Sequence, residues 1–85
     1  MKKLTKAEEE IMQLFWYKGP ALVSALIDEM PDPKPPHSSI SSIVRILEKK
    51  GFVDHNTYGK TYEYFPIISK KEYSRFSLSK LVSNY

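Results

Sequence analysis

The chain has 85 residues, enough for one domain whose single small core buries roughly 60–65% of the unfolded surface. It has no cysteine, which excludes disulfide frameworks, thiolate nucleophiles and cysteine-based zinc or iron–sulfur sites, and which fits a reducing cytosol. The net charge of +3 is unevenly spread: residues 1–33 carry −2, residues 34–60 carry +3 and residues 61–85 carry +2, so basic character begins mid-chain and suits a polyanionic partner. No apolar run approaches the ~20 residues needed to cross a bilayer. Three glutamates close behind the Met-Lys-Lys start leave no signal-peptide core. A soluble cytoplasmic protein with no membrane partner is therefore expected.

In chain order, the first helix opens on a capping box, Thr5 with Glu8, and Glu8, Glu9 and Glu10 sit where the helix dipole favours negative charge. That glutamate run reads as a solvated turn. Ala7, Ile11, Leu14 and Phe15 make one apolar face, and Gly19-Pro20 ends the helix. Trp16 falls at the core edge. A second helix is expected from about Ala21 to Glu29, with a weak start because no good N-cap residue precedes it. Pro31, Pro33, Pro35 and Pro36 then forbid helix and form a stiff connector, to which His37 is assigned.

The third helix is expected from Ser38 to Lys50, with Gly51 as its C-terminal cap. Ile40, Ile43, Val44 and Leu47 form its core stripe; Ser38, Ser42, Arg45 and Lys49 fall in a sector opposite, bordered by Ser41. After Gly51 the period changes to two. Residues 52–57 and 61–65, separated by Tyr58-Gly59-Lys60, read as a β-hairpin with Gly59 at positive φ, and Pro66 ends its second strand. Ser69 with Glu72 forms another capping box that opens a fourth helix.

Three helices followed by a hairpin, with a basic and polar face on the third, is the order of a winged helix-turn-helix, mainly α with one small hairpin. In that architecture the third helix enters the major groove and the wing touches the backbone or minor groove. Arg45 can contact guanine through two hydrogen bonds, and serines can bond to base edges or phosphates. Lys49 and Lys60 can neutralise phosphates. Four serines in Ser38-Ser39-Ile40-Ser41-Ser42 are poor choices for a merely solvated helix, and their short side chains permit close approach to a surface. The candidate DNA-binding residues are thus Ser38, Ser39, Ser41, Ser42, Arg45, Lys49, Tyr58, Gly59 and Lys60. The bland alternative is that the serines are caps in a solvated turn.

The run Ser39-Ile40-Ser41-Ser42-Ile43-Val44-Arg45-Ile46-Leu47-Glu48-Lys49-Lys50-Gly51-Phe52-Val53, followed by Tyr58-Gly59-Lys60-Thr61-Tyr62-Glu63-Tyr64-Phe65-Pro66, resembles the penicillinase-repressor family. Leu4-Thr5-Lys6-Ala7-Glu8, Ile11-Met12 and Phe15-Trp16 are similar to its first helix, so the resemblance covers residues 4 to about 82. These are bacterial repressors of β-lactamase and methicillin-resistance genes, with copper-responsive relatives. The resemblance implies a DNA-binding domain over residues 1–68, a dimerisation helix beginning at 69–85, a homodimer on a palindromic operator, and derepression when a membrane sensor protease cuts the C-terminal region. Family members commonly continue with more helix than this chain has, so a truncated dimerisation element is expected. In several members the recognition-helix arginine stands one place later, where this chain has Ile46. The cysteine metal motif of the copper-responsive relatives has no counterpart here.

On the fourth helix Tyr73 and Phe76 lie about 60° apart at 100° per residue, and Leu78, Leu81, Val82 and Tyr85 fall on nearly the opposite side. Tyr73 and Phe76 are expected to dock on the domain; Leu78, Leu81, Val82 and Tyr85 are expected to meet a partner copy. A frayed terminal helix is the alternative. No enzyme, cofactor or metal site is expected. The three glycines are isolated, so there is no phosphate loop, and neither His37 nor His55 forms a close-spaced ligand set with carboxylates. Two other binding roles stay open: a winged-helix protein-interaction module using Tyr58, Tyr62 and Tyr64, and a non-specific binder of single-stranded nucleic acid.

Overall fold

A computed structural model describes residues 2–83, with the side chains of 79–83 excepted. The elements follow in the order α1 (Lys6–Lys18), α2 (Val23–Asp28), α3 (His37–Lys49), β1 (Val53–Tyr58), β2 (Thr61–Pro66) and α4 (Lys70–Ser83). The reciprocal cap of α1 is formed as its sequence requires: Thr5 N–H donates to Glu8 Oε1 at 2.9 Å, and Glu8 N–H donates to Thr5 Oγ1 at 3.2 Å. Helix α2 is shorter than its apolar pattern suggested. Its N-cap, Leu22, offers no side-chain acceptor, and Ala21 is drawn instead into a two-bond bridge with Tyr64, at 2.8 and 2.9 Å. The C-terminal carbonyls of α2 are met from the proline connector, where Lys34 Nζ donates to Ile27 O and Asp28 O at 3.4 Å each and, just past the helix, to Met30 O at 2.8 Å.

Helix α3 begins at His37, because the Pro36 carbonyl already accepts from Ser39 and Ile40, so His37 belongs to the helix and not to the connector. At its far end Gly51 takes φ +84°, a conformation costly for any residue with a Cβ. Its N–H bonds to Glu48 O and that of Phe52 bonds to Leu47 O, which closes a Schellman motif. This stop buries Phe52 and turns the chain into the wing.

Strands β1 and β2 pair antiparallel from Val53↔Pro66 to Tyr58↔Thr61 across the two-residue loop Gly59-Lys60. Gly59 has φ +62° and Lys60 does not share the positive sign, the pattern of a type II′ turn. The core between the helices and the wing root holds Met12, Phe15, Leu26, Val44, Leu47, Phe52 and Val53, all nearly inaccessible to solvent. Helix α4 docks through buried Tyr73, whose ring lies 5.9 Å from Trp16 and 5.8 Å from Phe52. The Tyr73 hydroxyl donates to Glu9 Oε2 at 3.2 Å, and half-buried Phe76 packs beside it. Trp16 sits at the core edge with its indole N–H donating to Ile68 O at 2.8 Å.

Glu8 departs from the solvated role expected of it. It is buried, and Lys50 Nζ donates to its Oε1 at 2.6 Å, tying the start of α1 to the end of α3. Burial pushes the carboxyl up, but the Lys50 ammonium and the Thr5 hydrogen bonds outweigh it and hold the group below the ordinary glutamate range.

Candidate nucleic-acid interface

Positions 37, 41 and 45 recur every four residues and therefore share one face of α3. That face meets the start of α2 and the first residues of β2 across an open groove of about 520 Å³. Ser24 comes from α2, His37, Ser41 and Arg45 from α3, and Lys60, Thr61 and Tyr62 from the wing. Two cations and several hydroxyls line this groove, and among its described lining residues there is no carboxylate. Such a surface offers hydrogen bonds and positive charge to an anionic, hydrogen-bonding partner.

Of the residues expected at the interface, Ser41, Arg45 and Lys60 are brought together in the groove. Ser38, Ser39, Ser42 and Lys49 are exposed on the adjoining sector of α3, and Ser42 Oγ donates back to Ser38 O at 2.9 Å. Tyr58 and Gly59 stand at the exposed wing tip. Ile46 is also exposed on α3. Sequence reasoning left out His37, Ser24 and Thr61. The i, i+4, i+8 series His37-Ser41-Arg45 was the available signal for the first, hidden because His37 was assigned to the connector.

The wing tyrosines divide by role. Tyr64 is buried and bridges Ala21, so its contribution is packing; burial raises its hydroxyl pKa, the Glu48 carboxylate adds to this, and the Arg45 guanidinium partly offsets both. Tyr62 is half exposed but stacks on His55, with ring centroids 4.4 Å apart. His55 itself corrects an expectation: its Nδ1 contacts Glu48 Oε2, and Asp54 lies beside both, so it does meet a close set of carboxylates.

On α4, Leu78 is exposed. The side chains of Leu81 and Val82, and Tyr85 altogether, lie outside the described residues. No helix among the described residues is long and apolar enough to cross a membrane.

A three-helix body with a two-stranded wing, and a polar, basic groove between its third helix and that wing, is a winged helix-turn-helix. The solution structure of the DNA-binding domain of the repressor BlaI superposes with a TM-score of 0.70 at 27% identity, covering 86% of this chain and 94% of that one. The family model for the penicillinase repressor matches residues 4–85, and the chain belongs to that family. It is also similar to the methicillin resistance regulatory protein MecI of Staphylococcus aureus strain N315, 27% identical over 71 residues, and to MecI of Mammaliicoccus sciuri, 27% identical over 75 residues. In both cases the match takes in 82% of this chain and 58% of the relative, so the chain spans under two thirds of the length of these curated proteins. These relatives are a repressor and regulatory proteins, not enzymes.

Proposed function

We propose that this chain binds double-stranded DNA sequence-specifically and represses transcription, with α3 in the major groove and the wing on the backbone or minor groove. The observation that carries this reading is the convergence of Ser41 and Arg45 of α3 with Lys60 of the wing on one carboxylate-free groove. Arg45 reads a base edge, the serines of the first two turns bond to bases or phosphates, and Lys49 and Lys60 neutralise phosphates. Residues 1–68 form the DNA-binding unit and residues from 69 onward begin the dimerisation element. Leu78, Leu81, Val82 and Tyr85 serve a homodimer whose half-sites lie about 34 Å apart or a multiple of that, hence on a palindromic operator. The family resemblance supports relief of repression by a sensor protease that cuts the C-terminal region, and a cytoplasmic location.

Selection of bound duplexes from a random pool tests the reading. Enrichment of one motif, repeated as an inverted pair, is expected. Recovery of an unenriched pool, or equal affinity for duplex and for an unrelated polyanion, would refute it.

A further inference from the structure

Behind the groove-lining Tyr62 and Tyr64, the root of the wing gathers three side chains of metal-ligating type from two elements. Glu48 lies in the last turn of α3, and Asp54 and His55 are neighbours in β1. One ligand atom from each, two carboxylate oxygens and an imidazole nitrogen, all fall within 4.8 Å of one another. The Schellman stop at Gly51 creates this meeting, since it folds β1 back along the end of α3.

We propose that Glu48, Asp54 and His55 bind a divalent zinc-type cation that ties the last turn of α3 to the first strand of the wing. One nitrogen and two carboxylate oxygens form a donor set suited to Zn²⁺, and three protein ligands leave a fourth position for water. Zn–N bonds of about 2.0–2.1 Å and Zn–O bonds of about 2.0–2.2 Å give a tetrahedron whose edges are roughly 3.3–3.6 Å. The ligand atoms straddle that spacing: His55 Nδ1 already touches Glu48 Oε2, and the widest separation is at most 4.8 Å. The two carboxylates supply the negative charge that a dication requires.

Two of the three ligands, His55 and Asp54, are also held by supporting contacts, as metal ligands usually are. The imidazole is stacked on Tyr62 at 4.4 Å with 27° between planes, and Tyr64 lies 5.4 Å away on a tilted plane. Asp54 Oδ1 accepts the His55 backbone N–H at 2.8 Å, which orients the carboxylate and leaves Oδ2 for a cation. Glu48 and His55 keep side-chain exposures of 31% and 28%, so water can reach the fourth position.

The test is calorimetric titration of the chelator-treated chain with Zn²⁺. One ion per chain is expected for the wild type. Because removing even an outer-shell partner typically weakens a metal site about 10–100-fold, loss of a ligand should weaken it at least about tenfold. His55→Gln and Asp54→Asn should both show this loss. Asp54 is exposed, so Asp54→Asn provides the variant least prone to misfold. His37→Gln removes the other histidine of the chain and should bind Zn²⁺ as the wild type does. Failure of the wild type to bind one ion, wild-type affinity in Asp54→Asn or His55→Gln, or loss of binding in His37→Gln would overturn the proposal.

Discussion

The two faces of α3 contrast sharply in chemistry although they share thirteen residues. One face presents Ile40, Val44 and Leu47 to the core with almost no exposure. The other presents small hydroxyls and Arg45 to an open groove. Apolar volume on the first face is what holds the helix in place, because a helix this short is marginal without tertiary packing. Short polar side chains on the second contribute little to that stability. A helix so divided can change its recognition without changing its fold.

The same division is visible in two adjacent lysines. Lys50 points back to buried Glu8 at 2.6 Å, and Lys49 is exposed beside the serine sector. One cation closes the structure and its neighbour is available to a partner.

The largest effect should come from the core face. Leu47→Ala should destabilise the fold by about 2–5 kcal/mol in urea unfolding, because the cavity left by a fully buried leucine collapses only in part. A change within the error of a surface substitution would break the contrast. Next is Glu8→Gln, expected to cost about 1–3 kcal/mol by removing the charge from a hydrogen-bonded, largely buried pair. The pH dependence follows from the lowered carboxyl value in the folded state. The unfolded chain takes up the proton first, so this stabilisation is complete above the ordinary glutamate pKa of about 4.3 and fades as pH drops through the lower folded-state value. Glu8→Gln should flatten that acid limb of a stability-against-pH curve.

Much of this arrangement was legible in the sequence, and the parts that were not share a cause. Caps and periods are local, so Thr5 with Glu8, Ser69 with Glu72, the Ile40-Val44-Leu47 stripe and the switch to period two after Gly51 each marked an element. The burial of Glu8 depends on Lys50, 42 residues away, and nothing near Glu8 distinguishes it from Glu9 or Glu10. Ala21 carries no strand signal because its pairing with Tyr64 is a single isolated bridge. His37 was lost by one residue of helix boundary, and with it the face it shares with Ser41 and Arg45. The Glu48, Asp54 and His55 cluster needs the turn at Gly51 before its members meet.

Smaller effects sharpen the picture. Ser69→Ala should cost about 0.5–2 kcal/mol of stability, because it removes the cap of α4, where the Glu72 N–H donates to Ser69 Oγ at 3.1 Å. Chemical denaturation checks it, and a loss larger than that of Glu8→Gln would mean that α4 is more integral to the body than its exposed cap suggests. Least visible in stability should be Lys60→Ala, within about 0.5 kcal/mol of the wild type. On DNA it should weaken all sequences alike and reduce the salt slope by about one. An unchanged slope would remove Lys60 from the backbone contacts.

The most direct measurement of the central claim is the affinity of wild type and Arg45→Ala for the selected duplex and for a scrambled duplex at one fixed salt concentration. Wild type should prefer the selected site. Arg45→Ala should lose about 1–3 kcal/mol of binding on that site and much less on the scrambled one, while unfolding at the wild-type denaturant midpoint. Equal losses on both duplexes would make Arg45 a phosphate contact, and no preference by the wild type would contradict sequence-specific recognition by α3.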